Sequence, residues 1–289
     1  MMKQLCRAII VLSLVFFSGC SQLNGASNGQ EKNLPKSGEN DTAHPKTVEK
    51  AENIKVPKTN EKKEASKTEK STDSELWLES KYWNIVQVRN GVKVIMNPDN
   101  ILALVNKEQS LPATYKPNDL VVPRVPFAFA EKNVEKRYMR AEAAAALEAL
   151  FAAARKEGIQ LVAASGYRSY ERQEAIFMEE VKEKGREEAI HAVALPGQSE
   201  HQTGLAVDIT SPSVHNALTT AFGETKEGKW VAEHAHEYGF IIRYPKGKEA
   251  VTGYEYEPWH LRYVGKKAAK VIFERKITLE EYFKIVKKI

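Results

Sequence analysis

Cysteine is almost missing: the chain of 289 residues has two, Cys6 and Cys20, and Cys6 stands in an N-terminal segment of signal character. No disulfide framework can be built from that, so an exported form must draw its stability from a packed core, with or without a metal. Residues 21–75 contain no aromatic side chain and are mostly Lys, Glu, Asn, Ser, Thr and Pro. Such a stretch cannot bury enough apolar surface to offset the entropy of ordering it. It reads as a disordered tether whose ends lie roughly 40 Å apart. The net charge of +5 comes from lysines interleaved with glutamates, without a basic block or basic-aromatic alternation, which argues against nucleic acid. No serine is followed three residues later by lysine, which excludes the Ser-x-x-Lys class of acyl-enzyme hydrolases. The sequence offers no internal repeat and no evident protein partner.

The N-terminus carries Lys3 and Arg7, an apolar run from Ala8 to Phe17, then Ser18 and Gly19. That pattern is a secretory signal, too short for a membrane span. FSGC at 17–20 resembles a lipoprotein signal box, although Phe17 stands where leucine is commoner. Cleavage there would leave Cys20 as a lipidated amino terminus. The alternative is an ordinary signal peptide with a stray cysteine. With 1–19 as the signal and 20–75 as lipidated Cys20 plus tether, the expected location is extracytoplasmic, lipid-anchored to the cell membrane and facing the cell wall.

From residue 76 the composition turns globular, with Trp77, Tyr82 and Trp83 close together, so the folded domain is assigned to 76–289. WNIVQVRNGVKVIMNP predicts a hairpin turning at Asn90-Gly91. Residues 98–130, rich in Pro and Asn, predict an irregular arm. A helix is expected from Glu131 to Glu157, a buried strand over 159–165, and an amphipathic helix over 169–185 with Ile176, Phe177 and Val181 inward. A short helix follows near 186–194. GLAVDIT, FIIRYP and WHLRYVG read as strands, 230–239 as a helix, and 266–275 and 279–288 as closing helices. Helices early, short strands late and no regular strand-helix alternation give an α+β domain.

Two places carry metal-site chemistry. In SEHQTGLAVDIT, His201 and Asp208 stand seven positions apart, with Asp208 ending an apolar run; in EPWH, Glu257 and His260 are three apart. A hydrolytic zinc site needs three protein ligands, an open position and a carboxylate outside the ligand set. His201, Asp208 and His260 could supply the first and Glu257 the last. Two neutral imidazoles and one carboxylate leave such a site net positive, which lowers the pKa of water and polarises a carbonyl. Either pair alone is common in proteins with no metal.

Together with SGYRS at 165–169, they form a recognisable set. SGYRS, SEHQTGLAVD and EPWH, in this order, resemble the three motifs of the VanY-type D-alanyl-D-alanine carboxypeptidases, zinc enzymes of bacterial cell-wall metabolism that include the LdcB-like L,D-carboxypeptidases. The resemblance covers about residues 100–275, LVNKEQSLP at 104–112 included. It implies a hedgehog-like, D-Ala-D-Ala-peptidase-like zinc peptidase fold, a small antiparallel sheet flanked by helices. It further implies one Zn2+ per chain on His201, Asp208 and His260, with Glu257 as general base and acid. Arg168 falls where the family holds the substrate's terminal carboxylate, and Gln173 and Ser199 match positions lining the family's site. The implied partners are peptidoglycan stem peptides, cut to release D-alanine.

Arginine's planar fork suits a free carboxylate, although Arg168 could instead be a surface residue paired with Glu171. Tyr167 reads as core or as cleft wall. Arg243 and Tyr244 flank the cleft or serve the strand end; Tyr244 is counted with the substrate-binding residues. Glu255, two residues from Glu257, is a rival base, and the Glu-x-x-His spacing favours Glu257. His44 falls in the tether, and His191, His215, His234 and His236 are assigned structural or solvated roles. Cleavage of a D-Ala-D-Ala bond in pentapeptide stems is favoured narrowly over an L,D bond in tetrapeptide stems. The rivals are a wall-binding lipoprotein without turnover and a structural zinc domain. A retained Glu257 argues against the former, and the lack of cysteine ligands against the latter.

Overall fold

The structure, a computed structural model, describes residues 72–289; the signal segment, Cys20 and all but the last four residues of the expected tether lie outside them. A single turn, α1 (Thr72–Glu75), leads to β1 (Trp77–Leu78) and then to the hairpin β2 (Val86–Arg89) and β3 (Val92–Ile95), which turns at Asn90-Gly91 as expected. The arm that follows is irregular except for β4 (Gln109–Ser110), paired parallel with β3, and β5 (Leu120–Val121), paired antiparallel with β6 (Met139–Arg140).

The alanine-rich segment forms α2 (Ala141–Lys156), ten residues shorter at its start than the helix expected from Glu131. Tertiary pairing overrides helix propensity there. Met139 and Arg140 pair with β5, the Arg140 N–H donates to the Gly204 carbonyl at 2.8 Å, and its guanidinium Nε lies 2.9 Å from Asp119. Beyond that point, Ala143, Ala144, Leu147, Leu150, Phe151 and Ala154 recur at helical spacing and bury one face.

A four-stranded antiparallel sheet in the order β7-β8-β10-β9 lies against this helix. Its strands are β7 (Val162–Ser165), β8 (Ala206–Thr210), β9 (Phe240–Tyr244) and β10 (Glu257–Tyr263). Between β7 and β8 run α3 (Tyr170–Lys184) and α4 (Arg186–Ala192); α5 (Lys226–His234) precedes β9, and α6 (Glu249–Thr252) lies between β9 and β10. On α3, Phe177 is buried, while Ile176 and Val181 are only half-buried and Gln173 takes the inward place instead. The chain closes with α7 (Lys266–Arg275), α8 (Leu279–Ile285) and β11 (Lys287–Lys288), which pairs parallel with β1, so the last helix ends before the expected 288. None of the described helices is long and apolar enough to cross a membrane.

Because side chains alternate along a strand, the sheet sorts its residues by face. Val207 and Ile209 of β8 and Leu261 and Tyr263 of β10 join the α2 core. Asp208, His260 and Arg262 fall on the other face. All five residues of β8 are buried, so the Asp208 carboxylate is placed where only a partner of opposite charge makes it tolerable. A second core of Ile241, Val264, Ile272, Leu279 and Tyr282 underlies the C-terminal helices. This is the expected α+β domain with a small antiparallel sheet flanked by helices.

Candidate metal centre and active site

His201 lies in a 3₁₀ turn (Glu200–Thr203) immediately before β8, closed by Gly204 at φ +66, a left-handed conformation that favours glycine. Its ring Nδ1 lies 2.7 Å from the Gly166 carbonyl, which makes Nδ1–H the donor and leaves Nε2 free to accept or ligate. The Arg168 N–H donates in return to the His201 carbonyl at 3.2 Å. The SGYRS and SEH turns are therefore clamped together. A side chain at Gly166 would overlap the Tyr138 carbonyl oxygen, so that turn requires glycine.

Asp208 and His260 are directly opposed across the β8-β10 ladder. His201 Nε2 is 3.3 Å from Asp208 Oδ2, and His260 Nδ1 is 3.1 Å from Asp208 Oδ1. The two imidazole planes stand 85° apart with ring centres 5.0 Å apart. One ligand atom from each of His201, Asp208 and His260 lies within 4.8 Å of the others, and all three residues are buried. Asp208 Oδ1, although so near His260, makes no hydrogen bond. Polar atoms that are buried, close and not bonded to each other are what ligands aimed at a common cation look like. The residues fit a tetrahedral metal with an open position.

The charge balance agrees. Burial alone would raise the Asp208 carboxyl, yet the imidazoles of His201 and His260 hold it well below the usual carboxylate range. Burial pushes His201 down against the pull of Asp208, favouring the neutral ring. Burial also opposes charge on His260, but Asp208 and Glu200 outweigh it and lift the ring to about 9. The site demands positive charge, which a divalent cation would supply in place of a second imidazole proton.

Glu257 and His260 are three residues apart on one strand, a spacing that would normally place them on opposite faces. The β9-β10 register is irregular between Glu257 and Leu261, where Glu257 pairs with Tyr244 and Leu261 with Ile242, so strict alternation does not hold over this stretch and both side chains reach one cleft. Glu257 Oε2 then lies 3.8 Å from His260 Nδ1, and burial raises its carboxyl above the usual value. Glu255 precedes the strand and is exposed, so the rival base is not in the site.

A cleft of 170 Å³ joins these groups to Arg168, Gln173, Ser199, Tyr244, Tyr254 and Trp259. Larger hollows of 660 and 580 Å³ lie beside it around Tyr115, Glu135 and Tyr167, but they hold neither His201, Asp208 nor His260, so the small cleft is the candidate active site. Arg168 is not paired with Glu171: its Nη1 donates to Gln173 Oε1 at 2.9 Å, and Gln173 Nε2 donates to the Ala194 carbonyl at 2.7 Å. Burial lowers the guanidinium from its ordinary value, with Asp208 and Glu135 opposing. Tyr244 stacks obliquely on His260 at 5.0 Å. Arg243 does not flank the cleft; it is wholly buried against Glu200 and Glu280. Tyr167 is buried and lines the neighbouring hollows.

Sequence reasoning missed Glu200, Tyr254 and Trp259 as site residues. Glu200 had a legible signal, a glutamate between two motif residues, but nothing in the sequence tells that it is fully buried. Trp259 had a signal too, its place inside the EPWH motif, whereas Tyr254 arrives through the fold alone.

The VanY family, described as D-alanyl-D-alanine carboxypeptidase, matches residues 136–266. YodJ of Bacillus subtilis (strain 168) is 52% identical over 282 residues, 98% of this chain and 96% of that one. The chain belongs to the VanY family. It is thus a hydrolase of the carboxypeptidase class, and its folded part is similar to solved VanY-family structures. That of the LdcB LD-carboxypeptidase is 61% identical and covers 74% of this chain and 100% of its own, with a TM-score of 0.73. A mutant of the vancomycin-resistance D,D-pentapeptidase VanY in complex with Zn(II) is 37% identical, covering 63% of this chain and 98% of its own, at a TM-score of 0.52.

Proposed function

We propose that this chain is a zinc-dependent carboxypeptidase that removes the terminal D-alanine from peptidoglycan stem peptides. The observation that carries the reading is the convergence, in one cleft, of a buried His-Asp-His cluster, a carboxylate outside it and a half-buried arginine. Zinc would be held by His201 Nε2, Asp208 and His260 Nδ1, and when bound supplies Lewis-acid activation of water and of the scissile carbonyl. Glu257 takes the proton of the attacking water as its oxygen joins the carbonyl carbon. It then returns that proton to the leaving amine nitrogen as the C–N bond breaks. A carboxyl raised by burial suits both halves of that task. Arg168, braced by Gln173, binds the terminal carboxylate that defines a carboxypeptidase substrate. Ser199 and Tyr244 line the same cleft and position the peptide.

Both candidate stems end in D-alanine, so Arg168 does not choose between them. The D,D reaction leaned to from sequence has the family description behind it. The likeness to the LdcB LD-carboxypeptidase, at 61% identity over the whole of that chain, supports the tetrapeptide stem, and we take the L,D reaction as the favoured one. The zinc-loaded 76–289 domain, incubated with muropeptides carrying tetrapeptide or pentapeptide stems, decides by product mass. Loss of one alanine from the tetrapeptide alone supports this reading, loss from the pentapeptide alone assigns the D,D reaction, and loss from neither removes the proposal.

The N-terminal signal pattern, the FSGC box and the aromatic-free stretch support a lipid anchor at Cys20 and a tether reaching into the wall, with residues 76–289 as the working domain. Membrane retention that persists unchanged in Cys20→Ala would remove the anchor.

A further inference from the structure

On the Nε2 side of His260, the ring nitrogen not facing Asp208, stands a buried charge network that the hydrolytic mechanism does not use. Glu200 is fully buried. Its Oε1 accepts from two arginines that are themselves wholly buried, Arg243 Nε at 2.8 Å and Arg262 Nη1 at 2.6 Å. Its Oε2 has no hydrogen-bond partner and lies 3.6 Å from His260 Nε2, which is also without one. Arg262 has no other charged partner among the described residues: its remaining donors go to the carbonyls of Tyr263, Ile101 and Ala103 at 3.1, 3.0 and 2.9 Å. Arg243 turns its other two nitrogens onto Glu280 of α8, at 3.0 and 2.6 Å, as a bidentate fork. Two positive and two negative groups balance, and the only unused acceptor among the Glu200 oxygens faces the back of His260.

Desolvating four charges is expensive, and such networks are often no better for stability than apolar packing. An imidazole that ligates through Nδ1 must keep its proton on Nε2, and an acceptor there fixes both tautomer and ring angle. We propose that Glu200 is a positioning residue for His260, and that Glu280 of the C-terminal helix, acting through Arg243, holds Glu200 in register, so that α8 tunes the metal affinity of the site. This rests on the reading of His260 as a metal ligand. The chain Glu280–Arg243–Glu200–His260 runs from the last helix to the metal side of β10, and Arg262 ties the N-terminal arm to the same carboxylate.

The test is zinc affinity, measured on the metal-free full chain by competition with a chromogenic chelator, which needs no turnover. Glu200→Gln is expected to weaken zinc binding about 10- to 100-fold. Glu280→Gln is expected to weaken it severalfold in the same direction. Leu150→Ala, which costs core stability around α2 without touching the network, is expected to leave it unchanged at a temperature where that variant is folded. Zinc affinity in Glu200→Gln within twofold of the parent overturns the proposal. Should that variant not fold, Glu280→Gln decides, and unchanged affinity there overturns it equally. His260→Ala separates the two readings: if it binds zinc like the parent, the ligand assignment itself fails, whereas a large loss in His260→Ala with none in the Glu variants removes the network proposal alone.

Discussion

Asp208 and His260 sit directly opposite each other on antiparallel β8 and β10, with Asp208 Oδ1 3.1 Å from His260 Nδ1 and no hydrogen bond at that oxygen. A carboxylate at the centre of a fully buried strand is held there by the imidazoles around it, and a cation bound to the proposed cluster would add to that hold. From this pair outward, each neighbouring side chain has a consequence that can be measured.

Replacing Glu257 with glutamine keeps the shape of the side chain and removes the carboxylate proposed to carry the proton. Zinc content and peptide binding are expected to stay near those of the parent, while turnover falls by about 10² to 10⁴. Mass spectrometry of muropeptide products, with metal analysis of the same sample, checks both halves. Parent-like cleavage would mean that another group is the base.

Arg168 is expected to act through the substrate's terminal carboxylate. Arg168→Lys keeps the charge but loses the fork, and Arg168→Ala loses both. A charge-assisted hydrogen bond contributes about 1.5–3 kcal/mol, so kcat/KM should fall about 10- to 100-fold in the alanine variant, with lysine between. Gln173→Leu, which frees Arg168 Nη1 from its brace, should raise KM by a smaller factor. Peptides amidated at the C-terminus should lose this discrimination between parent and variants.

Metal removal should lower thermal stability. A ligand that binds only the folded state adds about 2.7 kcal/mol at one hundred times its Kd. For a domain of this size that corresponds to about 5–10 °C in Tm on adding zinc to chelator-treated protein. Differential scanning calorimetry reads this directly. Apo and zinc-supplemented protein melting together would contradict a folded-state metal site at His201, Asp208 and His260.

Acid should expose the Glu200 network. Burial would raise the Glu200 carboxyl, but Arg243 and Arg262 hold it far below the ordinary range. A depressed carboxyl contributes stability that is complete above its unfolded value, near 4.3, and that is lost as pH falls toward its folded value. Glu200→Gln should therefore flatten the decline of the unfolding free energy, read from urea titrations, below about pH 4, by up to about 1.4 kcal/mol per pH unit. Equal acid slopes in parent and variant would show that the carboxyl is not held ionised.

Much of this protein was legible in its residues. The hairpin at Asn90-Gly91, the helix at 170–184 and the four strands of the central sheet follow from turn chemistry, helical patterning and short apolar runs, because these are local properties of the chain. The candidate ligands His201, Asp208 and His260, with Glu257 and Arg168, could be named because their chemistry is confined to few residue types and the SGYRS, SEHQTGLAVD and EPWH motifs carry them. What only the tertiary structure decided is which residues meet. Pairing of Met139 and Arg140 with Leu120 and Val121 ends the helix at Ala141, against the helix propensity of its N-terminal flank. An irregular register in β10 goes with Glu257 and His260 meeting in one cleft despite their odd spacing, and no local pattern announces such an irregularity. Glu200 gains its place behind His260 from Arg243 and Arg262, more than forty residues further along the chain, because a buried carboxylate is stable only where distant strands deliver its counter-charges.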